Sequence, residues 1–397
     1  MKVTDVQAIL VHPYSGSGEH YIEDKNWLFV KVETDEGITG WGESYTMRDR
    51  DLAQAQFVKE LGRYLIGRDP FHIKHFSQLV YNDFGGRRGG IELFCALSGI
   101  EQALWDVVGK KLDTPVYNLL GGPCRDRIRA YANGWTTNGS WNSAIFSPGH
   151  LRQAAIDTVK MGFTALKFEP FPGPMRSYVS RQDEKTAVEN VRIVREAVGP
   201  DIDILVEVHR RLSPMSAIRV AKEMAEFKPF WYEEPVPVEN VDALAEVRSR
   251  IDLPIVTGET LCTKVNFREV LAKRAADILN PDVSHCGGIL ELKEIAAMAE
   301  ANYVAVCPHN HNSTTVSLAA TLQVAAMAPN FLITEYFVNF KEKGNEILET
   351  PFELVDGHFI IPTGPGLGIT INEDALANLA FSQSSARKFR TVSEELL

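Results

Sequence analysis

The chain has 397 residues, 45% of them apolar and 23% charged, with a formal net charge of -11. Such a chain buries a large core, which excludes a disordered or fibrous protein, and its acidic balance argues against nucleic-acid or anionic-membrane surfaces, which need clustered Lys and Arg. The five cysteines are odd in number, scattered and free of any Cys-x-x-Cys pair, which argues against a disulfide framework or a thiolate zinc site and fits a reducing cytoplasm.

In chain order, the first predicted elements are strands. Met1 to Tyr14 alternates polar and apolar residues without a basic start followed by an apolar run, so it reads as a strand, Val3 to Val11, rather than a signal peptide. Trp27 to Glu33, a turn at Asp35-Glu36-Gly37, and Ile38 to Glu43 complete an antiparallel meander. From Asp51 to Leu112 the period becomes helical, with Leu52, Phe57, Val58 and Leu61 on one stripe, then Cys95, Ala96, Ile100, Ala103, Leu104 and Val107 on another. Strands followed by helices predict an α+β domain over 1–125. The breaker cluster Leu119-Leu120-Gly121-Gly122-Pro123 ends it.

Beyond it, eight short apolar runs alternate with helical patterns: Ile128–Ala132, Ala165–Phe168, Ile204–Val208, Phe230–Tyr232, Ile255–Val256, Ile278–Asn280, Val304–Val306 and Phe331–Ile333. Clear helical stretches include Ser216–Phe227, Val241–Arg250 and Leu290–Ala301. The fold class is α/β, a (β/α)8-type barrel over 126–351 with an N-terminal α+β capping domain. No Gly-rich phosphate loop supports an open nucleotide-binding sheet. Residues from about 352 to 397 are expected to return and pack on the first domain. No stretch is long and apolar enough to span a bilayer.

Catalytic groups of such a barrel gather at the C-terminal strand ends. The third, fourth and fifth runs deliver Glu207, Glu233 and Glu259, spaced by 26 residues each. Three converging acids repel one another unless a cation joins them, and a hard cation with oxygen ligands, Mg²⁺, is the natural partner. A single such Glu would be a solvated surface charge; three in register point to a site.

The remaining strands carry Lys167, Asp282, His309 and Glu335, and His209 stands two residues beyond Glu207. Lys167 and His309 are candidate proton carriers, and Asp282 is a candidate acceptor that would fix the His309 tautomer. Two histidines and a metal suit removal of a proton next to a carboxylate followed by loss of a hydroxyl. Lys167 could equally pair with Glu169. His285 and His311 read as structural residues. Arg87, Arg88, Gly89 and Gly90 could touch a substrate carboxylate but read first as a surface turn.

Several stretches resemble the enolase superfamily, specifically its mandelate racemase subgroup: Val30 to Gly37 with Gly40-Trp41-Gly42-Glu43, Ala103-Leu104-Trp105-Asp106, Leu120-Gly121-Gly122, the three spaced acids, Pro281-Asp282 with Gly287-Gly288, and Pro308-His309-Asn310. Glu207-Val208-His209 is similar to the ligand-x-His element of galactonate and gluconate dehydratases. The resemblance implies Mg²⁺ on Glu207, Glu233 and Glu259, His309 with Asp282 as the C2 base, His209 as the acid for the C3 hydroxyl, and Glu335 as a hydrogen-bond donor to the substrate carboxylate. It implies a small-molecule sugar acid as substrate, a 2-keto-3-deoxy product and a homo-oligomer. The chain departs from the pattern in having Glu207 where Asp is common, Arg210-Arg211 where Gly-Arg is common, and Glu169 in place of the second lysine of a racemase Lys-x-Lys pair. Substrate choice would lie with capping loops at Tyr14 to Lys25 and Tyr45 to Arg50.

Competing expectations are a racemase, epimerase or cycloisomerase working through the same enolate, and a non-catalytic metal-binding scaffold. A metallohydrolase would need a His-x-His pair on the first barrel strand, and Ile128–Ala132 has none.

Overall fold

A computed structural model of the chain describes residues 1–14, 25–85, 90–136, 147–172, 179–311, 313–383, 386 and 389–395. Its first sheet is an antiparallel meander in the order β1 (Val3–Val11), β2 (Trp27–Thr34) and β3 (Thr39–Ser44). Helices α1 (Asp51–Gly62), α2 (Ile73–Leu79), α3 (Ile91–Lys111) and the short α4 (Val116–Leu119) follow.

The backbone of α3 lies almost on β3, and glycine makes that approach feasible. A Cβ at Gly42 would sit 1.8 Å from the Gly99 carbonyl oxygen, and one at Gly40 would sit 2.2 Å from that of Ala103. The predicted α3 stripe is buried throughout, but the α1 stripe is rotated: Val58 and Leu61 are buried with Ala55, whereas Leu52 and Phe57 face solvent. Leu52 and Phe57 fall outside the face that α1 buries on α3 and β1.

Eight parallel strands follow, each but the last joined to the next through a helix: β4 (Arg127–Asn133), α5 (Pro148–Lys160), β5 (Ala165–Phe168), α6 (Arg181–Val198), β6 (Asp203–Glu207), α7 (Pro214–Met224), β7 (Trp231–Glu233) and α8 (Val241–Arg248). The second half comprises β8 (Ile255–Thr257), α9 (Thr263–Ala272), β9 (Ile278–Leu279), α10 (Ile289–Ala301), β10 (Ala305–Val306), α11 (Val316–Met327) and β11 (Thr334–Phe337). Ser147, Ser180, Ser213 and Asn240 cap α5 to α8 by accepting backbone N–H groups, and proline stands in the first turn of α5 and α7.

Neighbouring strands pair in sequence from β4 to β10, and β11 pairs in parallel with β4. A Val306–Phe331 bridge closes the ring. The expected (β/α)8 barrel is therefore present. Its eighth strand pairs at Thr334–Phe337, three residues beyond the apolar run at Phe331–Ile333, because the ladder runs through the polar pair Thr334 and Glu335 that hydropathy ignores.

The C-terminal stretch divides between the two parts. A hairpin of β12 (Leu354–Val355) and β13 (His358–Ile360) adds to β4. Gly366 and Leu367 meet Asp106 and Val116 beneath α3, and α13 (Glu373–Ala377), reached after α12 (Lys341–Ile347), brings Glu373 to Lys31. Among the described residues no helix is long and apolar enough to cross a membrane.

Candidate active site

A strand's side chains alternate between its two faces, so residues two apart share a face. One buried cluster takes a residue from each strand or its edge: Tyr131, Ala165, Leu205, Trp231, Val256, Ile278, Cys307 and Ile333. Two positions further along seven of these strands stand Asn133, Lys167, Glu207, Glu233, Asn280, His309 and Glu335. The barrel interior thus passes from an apolar layer to a polar one in a single step. The remaining strand, β8, breaks the rule at Gly258, whose φ of +136° turns the chain and delivers Glu259 one residue late.

Glu207, Glu233 and Glu259 are all buried and offer carboxylate oxygens within 4.8 Å of one another. Glu233 is held from three sides by Lys167 Nζ at 2.9 Å, Asn280 Nδ2 at 2.8 Å and Trp231 Nε1 at 3.0 Å. Glu207 Oε2 and Glu259 Oε2 are buried and accept no hydrogen bond among the described residues. Orphaned anionic oxygens facing one point fit a divalent cation with oxygen ligands. Burial and the Glu259 charge push Glu207 up to about 8, while Arg210 and His309 outweigh burial at Glu259 and hold its carboxyl well below the usual range.

His309 and Asp282 face each other because their backbones form a parallel bridge. His309 Nδ1 is 2.7 Å from Asp282 Oδ2, leaving Nε2 toward the acids, 3.5 Å from both Glu259 Oε2 and Glu335 Oε2. Burial opposes charging the ring, but Glu335, Glu259 and Asp282 together raise it to about 9. On the far side of the barrel, four strands away, His209 Nδ1 is 2.6 Å from Glu169 Oε2. Burial draws His209 down to about 4.

Lys167 is within 2.9 Å of Glu233 and 2.8 Å of Glu335, not paired with Glu169. The rise of about 3.3 Å per residue along the chain separates the two: Lys167 lies in the acid layer, while Glu169 lies one layer higher beside Arg211 and His209. Coulombic attraction to Glu233 and Glu335 overcomes burial and raises Lys167 well above its ordinary value. The oxygens of Glu335 accept from Lys167, Asn133 Nδ2 and the Asn310 N–H, and the charges of Lys167 and His309 hold its carboxyl at about 2 despite burial.

His311 stacks on His309 with ring centroids 5.9 Å apart, and Tyr45 lies 5.5 Å from both His285 and His311. Of the capping loops, Tyr45 is thus at the site, and Lys25 reaches it through Thr46, whose carbonyl accepts its Nζ at 3.0 Å. Residues 15–24 and Arg87, Arg88 and Gly89 lie outside the described residues. Sequence reasoning missed Asn133, Asn280 and the buttress of Glu169 by Arg211. The first two were legible from the two-residue step beyond the apolar layer.

The cap is locked over this end of the barrel by buried polar side chains. Glu43 Oε2 accepts from Ser313 Oγ at 2.7 Å and from the Ser317 N–H at 2.9 Å, and Gln102 bonds the Val283 carbonyl and Ser284.

Residues 3–121 match the mandelate racemase / muconate lactonizing enzyme N-terminal domain family, and residues 150–375 match the enolase C-terminal domain-like family. A D-galactonate dehydratase of Pectobacterium atrosepticum is 38% identical over 355 residues, 88% of this chain and 89% of that protein. One from Xanthomonas euvesicatoria is 36% identical over 88% of this chain and 90% of its own length. The solved structure of a mandelate racemase/muconate lactonizing enzyme-like protein from Roseovarius sp. TM1035 is similar at TM-score 0.89 and 33% identity, covering 98% of this chain and 99% of that one. A mandelate racemase/muconate lactonizing enzyme from Jannaschia sp. CCS1 gives TM-score 0.88 and 31% identity, covering 98% and 99%. With both domains matched and the acid triad in place, the chain is an enzyme of the enolase superfamily and belongs to its mandelate racemase / muconate lactonizing enzyme subgroup.

Proposed function

We propose that the chain is a Mg²⁺-dependent sugar-acid dehydratase that removes the C2 proton and the C3 hydroxyl of its substrate to give a 2-keto-3-deoxy acid. One observation carries this reading: two imidazoles, His209 and His309, follow the third and seventh barrel strands on opposite sides of the acid triad. Relatives named D-galactonate dehydratase support the reaction class.

Glu207, Glu233 and Glu259 would hold the cation, which when bound would offset the charge that builds on the substrate carboxylate as its neighbouring proton leaves. His309, with Nδ1–H donated to Asp282 and the Glu259 charge that raises it offset by a cation on the triad, would present a neutral Nε2 to take the C2 proton. His209 gives a proton to the C3 oxygen as the C3–O bond breaks, water leaves, and the resulting enol ketonises. Lys167 stays protonated and balances Glu233 and Glu335, which counts against a two-base racemase using Lys167 and His309. Glu335 orients Lys167, Asn133 and the Asn310 backbone by accepting from each.

The test is a screen of the purified protein with Mg²⁺ against hexonates, pentonates and hexuronates, detecting 2-keto-3-deoxy products, with an EDTA control. Metal-dependent product from one acid supports the reading. Solvent deuterium entering C2 of an acid with no product from any of them points instead to the racemase or epimerase.

A further inference from the structure

The loop that carries His209 is strained. His209 and Arg210 are consecutive non-glycine residues with φ of +53° and +61°, a left-handed conformation that costs about 1 kcal/mol or more per residue and persists only where its surroundings enforce it. They do. The Val208 and Arg210 N–H groups donate to the Glu233 and Glu234 carbonyls at 3.0 and 2.7 Å, and the His209 N–H donates to Glu207 Oε1 at 2.6 Å. The turn throws the imidazole sideways toward Glu169.

Glu169 is itself anchored. Its Oε2 is 2.6 Å from His209 Nδ1 and its Oε1 contacts the Arg211 guanidinium. Arg211 is buried at 2% exposure, donates from Nε to the Val208 carbonyl at 3.0 Å, and lies 5.6 Å from the centroid of the Phe171 ring. A buried guanidinium fixed at its other nitrogens gives its carboxylate partner little freedom.

We propose that Glu169, held by Arg211, is the positioning residue for His209, fixing the proton on Nδ1 and directing Nε2 at the leaving oxygen, as Asp282 does for His309. The protein then contains two carboxylate–imidazole pairs of like geometry, one for each proton transfer, at 2.6 and 2.7 Å. A carboxylate at Nδ1 accepts the ring N–H and selects one tautomer, so the proton that the ring must take up before it donates can only sit on Nε2. Assigning His209 as the acid rests on the dehydratase reading; the positioning itself rests on the geometry. The proton balance is simple: His209 Nε2–H passes to the C3 oxygen, that oxygen leaves as water, and the C2 proton resides on His309.

The test uses Glu169→Gln, which keeps size and removes charge, and Glu169→Asp, which keeps charge and shortens the reach. With the substrate found in the screen, Glu169→Gln should lower kcat for dehydration by about 10²–10⁴-fold, leave KM within a few-fold, and still exchange the C2 proton with solvent deuterium, because His309 is untouched. Glu169→Asp should recover part of the loss. Dehydration at the wild-type rate in Glu169→Gln overturns the proposal, and so does loss of exchange and product together, which marks a collapsed site.

A second readout needs no turnover. In ¹⁵N-histidine-labelled protein with His209 assigned through His209→Asn, the wild type should show the proton on Nδ1 and Glu169→Gln should shift it toward Nε2. An unchanged tautomer overturns the proposal even if no sugar acid proves to be dehydrated, so its failure is distinct from failure of the dehydratase reading.

Discussion

Asp282 Oδ2 lies 2.7 Å from His309 Nδ1, and both side chains are buried beside the acid triad. That contact makes Nε2 the free nitrogen of the ring and points it where a substrate would meet the cation. Asp282→Asn should therefore act through His309, since an amide can present a donor to Nδ1 and favour the wrong tautomer. We expect kcat to fall by about 10²–10⁴-fold with little change in melting temperature. Steady-state kinetics beside calorimetry checks this, and a variant that retains most of its activity contradicts it.

The triad makes stability depend on pH and metal together. Without a dication Glu207 sits at about 8, far above its ordinary value, so the folded chain keeps a proton that the unfolded chain has released. The Glu207 contribution to stability then falls as pH rises from about 4.5 through about 8, against an opposite contribution from His209, drawn down to about 4, that grows up to about 6.5. His309, raised to about 9, adds a contribution that is full below its unfolded value near 6.5 and fades through 9, in the same direction as Glu207. A bound dication holds the carboxylates ionised, so its affinity should tighten as pH rises and the slope should flatten. At a hundred times its Kd it adds about 2.7 kcal/mol. Melting curves from pH 5 to 8 in EDTA and in Mg²⁺ test this, and equal slopes in the two contradict it.

Lys167 sits within 3 Å of Glu233 and Glu335, with all three side chains at 2% exposure or less. Lys167→Met should leave those acids buried without their counter-charge, costing about 3–5 kcal/mol. Urea unfolding should show the full loss in EDTA and a smaller one with a divalent cation present.

Gly42 has no room for a methyl group, because its Cβ would meet the Gly99 carbonyl at 1.8 Å. Gly42→Ala should destabilise the cap by about 3 kcal/mol or more, through overpacking against backbone that cannot move aside. Gly37 is the control: nothing lies within 4 Å of its Cβ, and its φ of +74° makes Gly37→Ala cost only about 1 kcal/mol of backbone strain. Equal losses in the two would remove packing as the cause.

Much of this was legible because strand alternation is strict. The apolar runs locate the barrel layer, and a two-residue step from that layer gives Lys167, Glu207, Glu233, His309 and Glu335 without any coordinates. The meander was equally clear from its period, with observed ends within one residue of those expected. What hydropathy could not reveal were contacts made by direction rather than by type. Leu52 and Phe57 are apolar yet face solvent, because the helix phase is set by what α1 packs on. Glu169 reads as a partner for its near neighbour Lys167, whereas the rise along the chain carries the two side chains to different layers. Nor does hydropathy reveal that Lys167 and His309 lie beside Glu335, where their charges hold its carboxyl at about 2.

The most direct test of the two-imidazole account is the reaction run in D2O with wild type, His209→Asn and His309→Asn, each with Mg²⁺, followed by proton NMR of substrate and product. The account predicts 2-keto-3-deoxy product from the wild type, exchange at C2 without product from His209→Asn, and neither from His309→Asn. Product formation by His209→Asn at the wild-type rate, or C2 exchange that survives in His309→Asn, would contradict it.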